Sequence, residues 1–131
     1  MQAQTPSAPV VTLLMVDDEP LMTELFRQHM NKHKFQTLTA NSAIEALTLL
    51  EKEDVSVQMV ITDMTMPEMN GLELAQALQE RFPEIPVMIA TGHDVDERSF
   101  HLLSNVKGFI QKPYHHRTLA ERIKALLPPV V

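Results

Sequence analysis

The sequence predicts a single α/β domain, in which a doubly wound parallel sheet of five strands carries five helices on its two faces. Short apolar runs rich in β-branched residues alternate with longer stretches whose apolar residues recur every three or four positions. Each short run is apolar throughout, as is typical of parallel strands covered on both faces. The length of 131 residues suits one domain with a sizeable core.

The first part of the chain is predicted to contain a leader, a strand and a helix. Residues 1–9 are small and polar and include two prolines, so we expect a flexible leader. Residues 10–16 are apolar and end abruptly in acidic residues, which indicates a buried strand. Apolar residues then recur along an amphipathic helix predicted from Leu21 to about Lys32.

A second strand, a second helix and a third strand follow. The second strand is predicted over residues 35–40, and Asn41 or Ser42 can cap the next helix. That helix is expected to face inward with three side chains, those of Ile44, Leu47 and Leu50. The third strand reaches Asp63 and ends there because Met66-Pro67 prevents its continuation.

The second half repeats this alternation. Gly71 opens a helix that Pro83 closes, and residues 86–90 form the fourth strand. Residues 94–103 predict a weaker helix, rich in charge and without a clean apolar stripe. The remaining elements are a fifth strand over 108–111 and a last helix with an apolar face built from Leu119, Ile123, Leu126 and Leu127. The folded domain is expected over residues 10–128, with a tail at 129–131.

Composition excludes several classes of function. Eleven Lys and Arg against seventeen Asp and Glu give a net charge of −6, the wrong sign for binding nucleic acid phosphates. The absence of cysteine excludes disulfides and thiolate chemistry. We find no membrane span or secretory signal, and expect a cytoplasmic protein that does not bind membranes. With three glycines, no glycine-rich phosphate loop can be placed.

Polar residues follow four of the predicted strands at their carboxyl ends. They are Asp17 and Asp18 after the first strand, Asp63 after the third, Thr91 after the fourth and Lys112 after the fifth. The carboxyl ends of parallel strands lie at the same edge of a sheet. The sequence therefore predicts a pocket that contains three carboxylates, a hydroxyl and an ammonium group.

Three carboxylates this close repel one another unless a cation shares them, and hard oxygen ligands suit Mg²⁺ or Mn²⁺. We expect Asp18 and Asp63 to be direct ligands and Asp17 to bind directly or through water. The backbone carbonyl of Thr65 is available as a further ligand. Such a cation beside Lys112 could neutralise the charge of a phosphoryl group.

Four motifs in this order resemble the receiver domain of two-component response regulators. They are Asp17-Asp18-Glu19-Pro20, the stretch from Asp63 to Gly71, Thr91-Gly92 and Lys112-Pro113. The resemblance extends over about residues 11–127. It implies a flavodoxin-like fold with strand order 2-1-3-4-5.

The resemblance also implies a role for each site residue. Asp63 would accept a phosphoryl group from the phosphohistidine of a histidine kinase or phosphotransfer protein. Asp17 and Asp18 would hold Mg²⁺, and Lys112 would pair with the phosphoryl oxygens. Thr91 would move its hydroxyl group onto one of those oxygens once Asp63 is modified. Such a domain is a phosphoacceptor that promotes its own phosphorylation and dephosphorylation, not an enzyme acting on a separate substrate.

The family's switch implies an output surface. Phe109 matches the family's rotating aromatic residue, although an ordinary core-filling role is nearly as good an interpretation. The phosphoryl group would bias the surface of residues 94–127 toward a second packing, and an output domain or partner would bind there. We expect a monomer or a weak homodimer.

Two other functions are compatible with parts of this residue set. A haloacid-dehalogenase-like phosphatase uses a similar residue set, but usually places a second aspartate where this chain has Thr65. A pseudo-receiver that serves only as a docking module would not need the complete acidic set.

His115 and His116 are adjacent, which makes joint metal binding poor, so we expect both to be surface residues. The other histidines show no ligand spacing, namely His29, His33, His93 and His101.

Overall fold

The computed structural model describes residues 10–92 and 96–127. The predicted leader at 1–9, the tail at 129–131 and His93 lie outside the described residues. The elements, in chain order, are β1 (Thr12–Val16), α1 (Pro20–Lys32), β2 (Gln36–Ala40), α2 (Ala43–Leu50), β3 (Met59–Asp63), α3 (Gly71–Arg81), β4 (Val87–Thr91), a 3-10 turn (Glu97–Phe100), β5 (Val106–Gln111) and α4 (His116–Leu126). None of the described helices is long and apolar enough to span a membrane.

All five strands pair in parallel, in the order β2-β1-β3-β4-β5. The predicted fold class and strand order are therefore confirmed. Because the strands run the same way, the residues that follow β1, β3, β4 and β5 lie along one edge of the sheet. This edge is called the carboxyl edge below.

Side chains alternate between the two faces of the sheet and build a separate apolar core on each. On one face, Leu13 and Met15 of β1 belong to the core that also contains Met30 of α1 and Leu119 of α4. On the other face, Leu14 belongs to the core formed with α2 and α3. Each fully buried Leu or Met contributes about 1.5–3 kcal/mol of stability. The central strands are thereby held from both sides, which fixes the carboxyl edge.

Helix α2 faces the sheet with a different set of side chains from the predicted one. Ile44 is 53% exposed, so its predicted inward orientation is wrong. Leu47 and Leu50 are buried as predicted, together with Ala43 and Ala46. The hydroxyl group of Ser42 caps the helix by accepting a hydrogen bond from the amide of Glu45, so the first turn begins at Ala43. Ile44 then points about 100° away from the buried stripe.

The prediction of a helix over residues 94–103 is also wrong, because the part that the structure describes, residues 96–103, contains no α-helix. Residues 96–103 contain a single 3-10 turn, Glu97–Phe100, and within it only Phe100 is buried. The described chain therefore has four α-helices where five were expected. The physical reason is that this stretch offers no apolar stripe to pack against the sheet, so most of a helix's stabilisation would be missing.

Helix α3 starts directly against the end of β3, and a glycine makes this approach possible. Asn70 and Glu73 form a capping box around the first turn. The amide of Gly71 donates a hydrogen bond to the carbonyl of Met64, at 2.8 Å. A Cβ atom on Gly71 would lie 2.6 Å from the carbonyl oxygen of Asp63 and 2.9 Å from the Cα of Met64. Gly71 thus holds the backbone around Asp63 in place.

Replacing Gly71 by alanine should lower the free energy of unfolding by about 1–3 kcal/mol, because the added methyl group meets rigid backbone. The measurement is urea denaturation followed by circular dichroism. Gly92→Ala is the matched control, since a Cβ there would meet nothing within 4 Å. Equal stability of the Gly71→Ala variant and the wild type would contradict the account.

Candidate functional site

Three aspartates meet at the carboxyl edge of the sheet. Asp63 is the last residue of β3, whereas Asp17 and Asp18 directly follow β1. Carboxylate oxygens of the three residues all lie within 4.8 Å of one another. Asp17 is 1% exposed, the side chain of Asp63 is 13% exposed and Asp18 is exposed to solvent. The cluster thus runs from a buried carboxylate to an accessible one.

Lys112 joins two of these carboxylates. Its Nζ atom lies 3.2 Å from Oδ2 of Asp17 and 3.2 Å from Oδ1 of Asp63. Its backbone amide donates a 2.7 Å hydrogen bond to the carbonyl of Thr91, which ties the ends of β4 and β5 together. Lys112 is thus positioned by the sheet itself, and its ammonium group lies between the carboxylates of β1 and β3.

Burial and the ammonium group of Lys112 act in opposite directions on the pKa of Asp63. Burial raises the pKa of this carboxyl group, and the neighbouring Asp17 raises it further, against the ammonium group of Lys112 and a hydrogen bond from the backbone of Thr65. The outcome is a pKa above the ordinary value. For Lys112, burial alone would lower the pKa, but Asp17 and Asp63 outweigh it and the pKa is raised. Lys112 therefore stays charged.

The cluster as folded has an excess of negative charge. Three carboxylates face one ammonium group, which leaves two negative charges when all are ionised. A divalent cation balances that excess, and carboxylate oxygens are the ligands that Mg²⁺ prefers. Oδ1 of Asp17 accepts a 3.0 Å hydrogen bond from the amide of Glu19, which orients this carboxylate. The residues present fit a magnesium site.

The two predicted threonines lie near this cluster, in different ways. Thr65 is exposed on the loop after β3. Its backbone amide donates a hydrogen bond to the carboxylate of Asp63. The predicted role of its carbonyl as a metal ligand stays a prediction. Thr91 ends β4, and β4 pairs with β3 so that Ala90 is the partner of Asp63. Thr91 thus lies on the same edge, one residue beyond that pair.

Phe109 lies in β5 and packs edge-on against Phe100, with ring centroids 5.1 Å apart. Phe100 is the buried residue of the 3-10 turn before β5. Phe109 is partly buried against the core that α2 and α3 share. Its predicted role as a switch stays a prediction, and its aromatic partner Phe100 was not foreseen from the charged stretch around it.

Two further site residues were not assigned to the site from the sequence. The amide nitrogen Nδ2 of Asn41 donates a 3.0 Å hydrogen bond to the carbonyl of Asp17 and also contacts Thr23, so Asn41 supports the loop after β1. It follows β2 at the carboxyl edge, and the strand-end argument could have found it. Tyr114 is largely buried beside Lys112, and burial raises the pKa of its hydroxyl group.

Comparison with known proteins matches this chain to response regulators and to a sensor kinase. The family described as "Response regulator receiver domain" matches residues 13–124. The chain is 34% identical over 119 residues to the heme response regulator HssR of Staphylococcus saprophyticus, covering 90% of this chain and 52% of that protein. It is 30% identical over 117 residues to the sensor kinase CckA of Brucella abortus, covering 88% of this chain and 12% of that protein.

Solved structures agree with this family. A response regulator receiver domain protein from Clostridium thermocellum is 26% identical with a TM-score of 0.80, and the alignment covers 88% of this chain and 93% of that one. The response regulator protein TrrA from Thermotoga maritima, solved in complex with Mg²⁺-BeF, is 28% identical with a TM-score of 0.77, covering 90% and 100%.

Taken together, the strand order, the acidic cluster and the match over residues 13–124 agree. The chain spans about half the length of the curated response regulators it matches first. The chain belongs to the receiver domain family of two-component response regulators.

Proposed function

We propose that Asp63 is the phosphoacceptor of this receiver domain and that its phosphorylation is the signal the domain transmits. The observation that carries the proposal is the position of its carboxyl group. It ends β3 at the carboxyl edge, keeps some exposure to solvent, and lies 3.2 Å from the ammonium group of Lys112. The donor is the phosphohistidine of a histidine kinase or a phosphotransfer protein, the partners of receiver domains.

The transfer requires little covalent chemistry from the protein. A carboxylate oxygen of Asp63 attacks the phosphorus atom, an acyl phosphate P–O bond forms, and the P–N bond to the donor imidazole breaks. The electron pair of that bond stays with the imidazole nitrogen, which is then protonated. The chain's part is to position the carboxylate and to stabilise charge on the phosphoryl oxygens, for which Lys112 is placed.

Mg²⁺, or Mn²⁺ in its place, would be held by Asp17, Asp18 and Asp63, with the carbonyl of Thr65 as a further ligand. When bound, the cation supplies positive charge to the phosphoryl oxygens. Support comes from the fit of the carboxylates and from their excess of negative charge. Binding should also lower the pKa of Asp63 and keep its carboxyl group ionised and ready to attack.

Phosphorylation would be transmitted through Thr91 and Phe109 to the predicted output surface of residues 94–127, of which the structure describes residues 96–127. The hydroxyl group of Thr91 would move to a phosphoryl oxygen, and Phe109 would repack against Phe100. In support, residues 96–103 are held by few buried side chains, so a second packing of this segment should cost little free energy. An output domain or partner would bind the changed surface.

The other functions considered from the sequence are not favoured. The family match is to receiver domains, which are signalling domains, and residue 65 is a threonine where haloacid-dehalogenase-like phosphatases usually have a second aspartate. The complete set of Asp17, Asp18, Asp63 and Lys112 in one cluster argues against a docking module that has lost phosphorylation. The domain would promote its own phosphorylation and dephosphorylation rather than turn over a separate substrate.

Phosphorylation at Asp63 is tested by intact-mass spectrometry. With Mg²⁺ and acetyl phosphate, the wild-type chain should gain the mass of one phosphoryl group, and Asp63→Asn should gain none because the amide is a poor nucleophile. Asp54→Asn is the matched control, since Asp54 is an exposed aspartate in the connection that leads into the opposite end of β3.

The Asp54→Asn variant should be modified as fully as the wild type. Equal modification of the Asp63→Asn variant would place the phosphoryl group elsewhere. A wild-type mass that stays unchanged with acetyl phosphate and with a phosphorylated histidine donor would end the proposal.

Binding of Mg²⁺ is tested by thermal unfolding. A ligand that binds only the folded state raises the unfolding temperature, so Mg²⁺ should stabilise the wild type. Asp18→Asn removes one charged ligand and should weaken Mg²⁺ binding at least about tenfold. Asp54→Asn should respond as the wild type does. An equal Mg²⁺ response in the Asp18→Asn variant would show that these carboxylates are not the site.

A further inference from the structure

Four histidines from two distant segments meet where α1 packs against α4. The Nε2 atom of His33, at the end of α1, lies 3.3 Å from Nδ1 of His116, the first residue of α4. The ring of His29 stacks on that of His116 at 4.4 Å, and the ring of His115 stacks on it at 4.7 Å. The sequence interpretation that His29 and His33 show no ligand spacing is wrong, because they are four residues apart on one helix and folding brings His116, 83 positions after His33, against them.

The contact between His33 and His116 has the dimensions of a metal site. Two imidazole nitrogens bound to one tetrahedral Zn²⁺, at bond lengths of 2.0–2.1 Å, lie about 3.3 Å apart. His29 precedes His33 by four residues on α1, the spacing at which two helical histidines share a zinc ion. The two helices therefore present three imidazoles to one region of space.

We propose that His33, His116 and His29 form a second metal site, which takes an imidazole-preferring transition-metal ion such as Zn²⁺. In the structure only His33 and His116 are at ligand spacing. The ring nitrogens of the three histidines do not all lie within 4.8 Å of one another, so His29 would have to leave its stack on His116 to become the third ligand. Water completes the tetrahedron. This site uses nitrogen ligands alone and is distinct from the carboxylate cluster, whose hard oxygens suit Mg²⁺.

The alternative is a structural cluster of stacked and hydrogen-bonded imidazoles that binds no metal ion. The charged groups around the histidines bear on this choice. Among the described residues, none of these histidines forms an ion pair with a carboxylate, and Lys32 is close by. These rings are therefore not engaged by carboxylates, and their nitrogen lone pairs can be donated to a metal ion.

Metal binding would restrain the segment next to the phosphoacceptor site. His116 begins α4 four residues after Lys112, so a bound ion would tie that segment to α1. The two helices belong to the same core, which the ion would hold from its surface. The expected effect is a more stable fold whose α1–α4 surface depends on metal.

The experiment titrates Zn²⁺ into the full chain without a histidine tag, by isothermal titration calorimetry in excess Mg²⁺. One site is expected in the wild type, with an increase in the unfolding temperature. His33→Gln and His116→Gln should each weaken Zn²⁺ binding at least about tenfold. His101→Gln is the matched control, an exposed histidine outside the cluster, and should bind as the wild type does.

Circular dichroism establishes that each variant is folded, and Asp18→Asn reports any Zn²⁺ taken by the carboxylates. The proposal is overturned if the wild type binds no Zn²⁺, or if the His33→Gln and His116→Gln variants bind it as tightly as the wild type. Loss of the Zn²⁺ site in the Asp18→Asn variant would overturn it as well. None of these measurements involves phosphoryl transfer, so the result does not depend on the role proposed for Asp63.

Discussion

The site depends on the contacts that one ammonium group makes with two carboxylates. Lys112 lies 3.2 Å from both Asp17 and Asp63, although burial alone would favour its neutral form. A buried carboxylate without a cationic partner is costly, and here Asp17 and Asp63 share a single lysine while the nearby Asp18 adds a third carboxylate. The remaining negative charge makes the pocket receptive to a divalent cation. Burial, together with the charge of Asp17, holds the pKa of Asp63 above its ordinary value.

The rest of the fold positions these charges. Parallel pairing places the ends of β1, β3 and β5 on one edge, and the amide of Lys112 binds the carbonyl of Thr91 at the end of β4. Gly71 lets α3 begin against the backbone of Asp63, and Asn41 supports the loop that carries Asp17. The site is therefore held by backbone and side-chain contacts on the side of β1 and β3. The segment before β5, with one buried residue in its 3-10 turn, has few contacts to hold it.

Sequence reasoning predicts this site well because each strand end can be recognised from a short stretch of sequence. In a parallel sheet, these carboxyl ends then lie on the same edge. It fails where the outcome depends on tertiary packing. Helix α2 packs on the sheet with Ala43, Ala46, Leu47 and Leu50, which leaves Ile44 facing solvent. Residues 96–103 lack the apolar stripe that would hold a helix to the sheet. No spacing in the sequence indicates that His33 meets His116, because the contact joins the end of one helix to the start of another.

The most direct test of this electrostatic account is a titration of the Asp63 side-chain carboxyl group by carbon-13 NMR, with and without Mg²⁺. Without the cation, its pKa should lie above the ordinary value for aspartate, because burial and Asp17 outweigh Lys112 and the Thr65 amide. Saturating Mg²⁺ should lower that pKa, because a nearby cation favours the carboxylate. A pKa at or below the ordinary value that Mg²⁺ does not change would contradict the account.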